Sequence, residues 1–235
     1  MKSPGTLFLI PSYLSEDTPD VLTPQGMQVV HQLEEFIVEN EKSARRFLKL
    51  IGSPFPQANF HFHVLNEHTN TADLSSFIRP LAEGKNVGLM SEAGCPGVAD
   101  PGSEVVRLAH AAGIRVKPLI GPSSLLLALM ASGLNGQSFV FHGYLPREGE
   151  QRKQKIRDIE KDANRKNQAQ IFIETPYRNL ALLQDLLTQC NPETRLCIAC
   201  NLTSPDEFIL TLPVSVWKNN VPDLNKKPCI FLIGK

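Results

Sequence analysis

The sequence has no surplus of charge: twenty-four lysines and arginines face twenty-four aspartates and glutamates. A balanced chain exerts no long-range pull on a polyanion, so a nucleic-acid partner has to be held by a local basic patch. Long hydrophobic runs are also missing. Nothing approaches the roughly 18 consecutive apolar residues of a membrane-spanning helix. The start, MKSPGTLFLIPSYL, has one lysine and an apolar run broken by prolines, unlike a secretory signal. The expectation is a cytoplasmic protein. Cysteine is scarce and odd in number, at Cys95, Cys190, Cys197, Cys200 and Cys229. An odd set, in a chain long enough to bury a core without staples, argues against a disulfide framework and for reduced thiols. No segment repeats at a fixed period. With 42% hydrophobic and 20% charged residues, disorder and fibrous repeats are excluded as well.

What is present reads as alternating strands and helices. Thr6 to Ile10 is an apolar run closed by Pro11, as a buried strand ending at a loop would be. Gln25 to Val38 has helical spacing, with Val29, Val30, Leu33, Phe36 and Ile37 on one side. Glu41 to Leu50 is basic and amphipathic, and Asn59 to Leu65 is extended, with His61 and His63 on one face. From 86 to 132 the rhythm is strand, loop, helix, strand, loop, helix, the mark of parallel βαβ units. Phe139 to Gly143 reads as the last strand of a first α/β domain spanning 1–143, mainly parallel. The polar connection from Tyr144 to Glu150 then opens a second α/β domain, 144–235. There helices are fewer and hairpins more frequent, so its sheet is expected to be mixed.

Arg147 to Arg165 interleaves seven basic residues with five acidic ones, which fits a solvated helix face better than a polyanion site.

The loop SEAGCPGVADPG, Ser91 to Gly102, is the most informative segment. Gly94 and Gly97 let backbone approach a ligand, while Pro96 and Pro101 stiffen the path. It follows an apolar strand, and open α/β sheets bind ligands at the carboxyl ends of their strands. Asp100 before Pro101 also suits a helix N-cap. Gly121-Pro122-Ser123-Ser124 is a second loop of this kind, whose hydroxyls suit either a cap or a ligand carboxylate.

Four stretches in order, SEAGCPGVADPG, PLIGPSSLLLALMASGL, FVFHGYLPR and IFIETPYRNL, resemble the tetrapyrrole methylase superfamily. Within it they are most similar to the enzymes that methylate a cytidine 2′-hydroxyl of small-subunit ribosomal RNA. The resemblance implies a methyltransferase using S-adenosylmethionine (SAM), with two α/β halves, each a sheet flanked by helices, and the cofactor in the cleft between them. It also implies a homodimer and a ribosomal RNA or small-subunit substrate. The family's cofactor contacts fall on Pro11, Ala93, Gly94, Cys95, Val98, Ser123 and Ser124, and in the second half on Glu174 and Asn201.

The likeness is weaker elsewhere. Where the ribosomal enzymes carry a PIGNLED-like segment this chain has Pro11 to Asp17, with Tyr13 and Leu14 in place of glycine and asparagine. Their EDTRHT-like segment falls on Glu39 to Ala44 and keeps little beyond the first glutamate, whereas His63, Asn66 and Glu67 follow a YHEHNE-like pattern. These differences lie on the acceptor side. Two alternatives to RNA therefore stand: a small acceptor such as a tetrapyrrole, or a SAM-binding protein with little catalysis.

Transfer from a sulfonium requires alignment and exclusion of water, with no metal and no covalent nucleophile. A ribose hydroxyl would be helped by a base within hydrogen-bond reach, and the candidates are Glu92, Glu39 and Glu67, with His68 behind them. Lys42 or Arg178 could stabilise charge. Cys197 and Cys200 have metal-like spacing but no second pair, and read as buried thiols. His61 and His63 lack a third ligand.

Overall fold

The structure, a computed structural model, describes residues 3–19, 22–65, 69, 74–100 and 102–235. The chain divides into two compact units, Met1–Ser123 and Ser124–Lys235.

The first unit runs β1 (Thr6–Ile10), α1 (Pro24–Val30), β2 (Glu35–Val38), α2 (Glu41–Leu50), β3 (His61–Val64), α3 (Leu74–Ala82), β4 (Val87–Met90), α4 (Ser103–Ala111) and β5 (Arg115–Pro118). Its five strands are ordered β3-β2-β4-β1-β5, and every pairing is parallel. Alternate residues of each strand serve opposite faces. Ile10, Phe36, Val38 and Met90 pack with Val30, Phe47 and Leu48 of α1 and α2. Leu7, Ile37, Val87 and Leu89 pack with Phe77, Leu81, Val105 and Ala109 of α3 and α4. Covered on both faces, the central strands β1, β2 and β4 are largely apolar, whereas the edge strands β3 and β5 carry polar residues. Each large side chain so buried contributes about 1.5–3 kcal/mol.

One helix expectation needs correction. The helical pattern over Gln25 to Val38 covers two elements: α1 stops at Val30, and Glu35–Val38 is a fully buried strand. Phe36 and Ile37 satisfy the helical period by coincidence, because a short apolar run fits either geometry. The His31 amide closes the helix on the Met27 carbonyl, and the chain then extends.

The second unit comprises α5 (Ser124–Ser132), β6 (Phe139–Tyr144), α6 (Gly149–Lys166), β7 (Ala169–Glu174), α7 (Asn179–Gln189), β8 (Arg195–Cys200), β9 (Phe208–Pro213), α8 (Val214–Trp217) and β10 (Cys229–Gly234). The strand order is β6-β7-β10-β8-β9, with β6–β7 parallel and the remainder antiparallel, hence a mixed sheet. Phe172, Phe231, Leu182 and Ile156 centre its core, where Trp217 donates its indole N–H to the Leu196 carbonyl at 2.8 Å. Arg152 of α6 and Asp185 of α7, both nearly buried, pair at 2.6 Å.

The domain boundary expected at 143/144 lies instead at 123/124. Phe139–Tyr144 belongs to the second sheet, joined through α6 to its parallel neighbour β7. The polar segment taken for a linker is thus the turn of a βαβ unit. Along α6 the charges neutralise one another at helical spacing, Lys153 with Glu150, and Arg165 and Lys166 with Asp162, as a solvated face does. Among the described residues no helix is long and apolar enough to cross a membrane.

Candidate functional site

Because the first sheet is wholly parallel, its strands end on one edge. The loops after β2, β4, β1 and β5 are therefore spatial neighbours, although they begin at Glu39, Ser91, Pro11 and Leu119. The helices also change face here: α1 and α2 cover one side and α3 and α4 the other. Open sheets bind ligands at such a switch point.

Hydrogen bonds tie three of these loops together. The Ser12 amide donates to the Gly94 carbonyl at 2.8 Å and the Gly94 amide returns to Ser12 at 3.2 Å. The Ser12 hydroxyl donates to the Ser91 carbonyl at 2.7 Å. Gly94 has φ +73°, and a Cβ there would stand 3.3 Å from Leu14. Gly121 brings the β5 loop onto Pro11 so closely that a Cβ would fall 2.4 Å from the proline ring. The Cys95 thiol donates to the Pro122 carbonyl at 3.3 Å, and burial pushes its pKa up, so it is a held thiol and no nucleophile. The result is a backbone-walled cradle that side chains would fill.

Beside it lie three carboxyl groups. Asn40 caps α2, accepting from the amides of Lys42 at 2.9 Å and Ser43 at 3.3 Å. That fixes Ser43, whose hydroxyl lies 2.9 Å from a Glu92 oxygen. Glu39 accepts the Glu92 amide at 3.2 Å. Burial raises the Glu39 pKa, and the Glu92 charge adds to this against the opposing amide bond. Asp100 is pushed up to about 7, chiefly by burial and then by Glu39, with a hydrogen bond from Ser91 opposing. Ser12, Tyr13, Glu39, Asn40, Ser43 and Glu92 line an open hollow of about 270 Å³. Glu39 also borders a second hollow of about 190 Å³ with Ser91, Gly97 and Asp100.

Asp100 was expected to cap α4. It does not: the N-cap is Gly102, without a side-chain bond, and the Asp100 carboxyl is left to the acidic group. Sequence reasoning named Glu39 and Glu92 but not Asp100 as their companion, because Glu39 and Asp100 stand sixty-one positions apart and are brought together through the β2–β4 pairing. The signal available was that Glu39 and Glu92 stand just after apolar strands and that Asp100 closes the loop following the second of them.

Of the expected cofactor positions, Pro11, Ala93, Gly94, Cys95 and Ser123 gather at this edge, and Val98 is exposed on the same loop. Ser124 opens α5 in the second unit. Glu174 and Asn201 also belong to the second unit, at the ends of β7 and β8 on either side of Cys229. Glu174 is buried; its Oε1 accepts from Arg178 at 2.5 Å and from the Thr175 amide at 2.6 Å, while Oε2 has no partner among the described residues. Arg178 is thereby committed to Glu174.

Of the candidate bases, Glu39 and Glu92 are brought together, whereas Glu67, with Asn66 and His68, lies outside the described residues. His63 turns to Glu35 at 3.1 Å, and Lys85 reaches the same carboxylate at 2.6 Å. Cys197 and Cys200, three apart on β8, point to opposite faces and cannot chelate one ion.

Residues 17–216 match the model of the family described as tetrapyrrole (corrin/porphyrin) methylases. The chain belongs to this family. It is an S-adenosylmethionine-dependent methyltransferase. It is 30% identical over 235 residues to a ribosomal RNA small subunit methyltransferase I of Pseudomonas aeruginosa, covering 99% of this chain and 79% of that one. To the protein of the same name in Synechocystis it is 32% identical over 217 residues, 91% and 74% of the two chains. Among solved structures, the methyltransferase CobJ superposes with a TM-score of 0.65 at 19% identity, over 99% of this chain and 95% of CobJ. Uroporphyrin III C-methyl transferase from Thermus thermophilus gives 0.61 at 16%, over 98% of each chain. At those identities the two structures establish the methylase fold. The cradle suits the family's cofactor: backbone at positive φ, with no side chain in the way, is what close approach of a ligand requires.

Proposed function

We propose that this methylase acts on a ribose 2′-hydroxyl of a small-subunit ribosomal RNA cytidine. The observation that carries the proposal is identity near 30% along almost the whole chain to relatives bearing the ribosomal name. The cofactor would be held in the first unit by Pro11, Ala93, Gly94, Cys95, Val98 and Ser123. Bound there, it supplies an activated methyl group on a sulfonium sulfur. Glu39, Glu92 and Asp100 together form the acidic group that takes the acceptor's proton, Glu92 being oriented by Ser43 and Glu39 set by the Glu92 amide.

Recognition of RNA is supported by α2. Lys42, Arg46 and Lys49 are exposed on this helix, while Ser43, Ala44 and Phe47 of the same helix line the 270 Å³ hollow. A basic helix face beside the reacting group is suited to phosphates, which position the strand without reading its sequence. The proposal includes a homodimeric, cytoplasmic enzyme, the first part of which sedimentation would check.

Incubation with small ribosomal subunits and radiolabelled SAM tests it. Label in RNA is expected. Cofactor binding with no label in RNA, but with label on an added tetrapyrrole, would transfer the proposal to the small-acceptor alternative.

A further inference from the structure

Beyond methyl transfer, we infer that Cys200 and Cys229 form an oxidisable dithiol, poised to close a disulfide across the β8–β10 ladder. The two residues are direct partners in the antiparallel register. The adjacent rung is bonded, with the Asn201 amide donating to the Pro228 carbonyl at 3.0 Å. Bonded and non-bonded rungs alternate, so Cys200 and Cys229 occupy a non-bonded one, where Cα atoms stand about 4.5 Å apart and side chains are closest. That spacing lies within the range that disulfides accept, about 4.4–6.8 Å. Both side chains face the same core, that of Leu182, Trp217 and Phe231.

Chemistry and position agree. The Cys229 thiol donates to the Lys227 carbonyl at 3.5 Å, and with the two sulfurs as neighbours the Cys200 pKa lies below its ordinary value while that of Cys229 is raised. Cys200, the last residue of β8, is taken as the attacking sulfur. Both are nearly buried, at 2% and 5% exposure, but theirs is the last rung of β8. Beyond it Pro228 has no N–H to give, and Asn201 leaves the strand at φ +51°. Ladder ends open most readily, which gives an oxidant entry.

With a small disulfide such as oxidised glutathione, the Cys200 thiolate attacks one sulfur and expels one thiolate. Cys229 then loses its proton, attacks the Cys200 sulfur of the mixed disulfide and expels the second thiol. The protein loses two electrons and the oxidant becomes two thiols.

The test is peptide mapping of the reduced, folded protein after treatment with oxidised glutathione, denaturation and alkylation. A cross-link joining the Cys200 and Cys229 peptides is expected, lighter by two hydrogens than the pair of thiols and removed by reductant. C197S should still form it. In C229S, Cys200 should stop at the mixed disulfide. Full alkylation of both thiols without a cross-link, or equal cross-linking of Cys190 or Cys197, would overturn the inference. Mapping of the unmodified protein needs no variant, so a misfolded C229S leaves the test intact.

Discussion

The amide of Glu92 donates to a carboxylate oxygen of Glu39 across 3.2 Å, binding the start of the β4 loop to the end of β2. Two carboxyl groups are thereby held near each other, and Asp100 completes a group that cannot all ionise at once without cost.

A pH dependence follows. With Asp100 titrating at about 7, methyl transfer is expected to rise with pH through that value and level off above it. Stability runs the other way. The folded pKa of Asp100 lies above its ordinary 3.8, so its contribution is full below about 4 and is lost as pH rises through about 7. D100N should flatten both curves, read by initial rates and by thermal melts across pH 4–9. A D100N rate profile that keeps its inflection would show that Asp100 is not the group setting it.

Replacement of the base should separate chemistry from binding. E92Q is expected to lower kcat by about 10²–10⁴ while cofactor affinity stays within a few-fold. Single-turnover rates and calorimetry make the distinction; a parallel loss of affinity would mean that Glu92 shapes the pocket instead.

Gly94 tests the cradle. G94A places a Cβ at φ +73° and 3.3 Å from Leu14, at a cost of about 1–2 kcal/mol in stability. G94W should abolish cofactor binding by filling the space. A folded G94W with undiminished affinity for SAM would move the cofactor away from this loop.

The RNA reading predicts a salt signature. K42A/R46A/K49A should weaken RNA binding and make the slope of log affinity against log salt shallower by about 2, with SAM affinity unchanged. An unchanged slope would place the phosphate contacts elsewhere.

Arg152 and Asp185 pair with side chains only 11% and 12% exposed. D185A leaves a buried guanidinium uncompensated and should cost about 3–5 kcal/mol, lowering the midpoint of denaturant unfolding. A loss below 1 kcal/mol would show that water reaches the pair.

Much of this was legible in sequence. The apolar runs over Thr6–Ile10 and Val87–Met90 declared themselves as buried strands, and the glycines and prolines after Met90 marked the loop that forms the cradle. What stayed hidden depended on partners distant in the chain. Phe36 and Ile37 carry a helical period, and only the neighbouring strands β3 and β4 make them a strand. Phe139–Tyr144 reads the same at the end of one sheet or the start of another, and its pairing with β7 decides. Asp100 looks like a cap because Pro101 follows, yet its surroundings are set by Ser91 and Glu39. Cys200 drew attention for its spacing to Cys197, whereas its partner, Cys229, stands across the ladder.

The most direct test is nucleoside analysis of small-subunit RNA after incubation with SAM and either the protein or E92Q. A 2′-O-methylated cytidine formed by the protein and nearly absent with E92Q is the expected result. Unmodified RNA in the presence of a protein that demonstrably binds SAM would contradict the RNA acceptor.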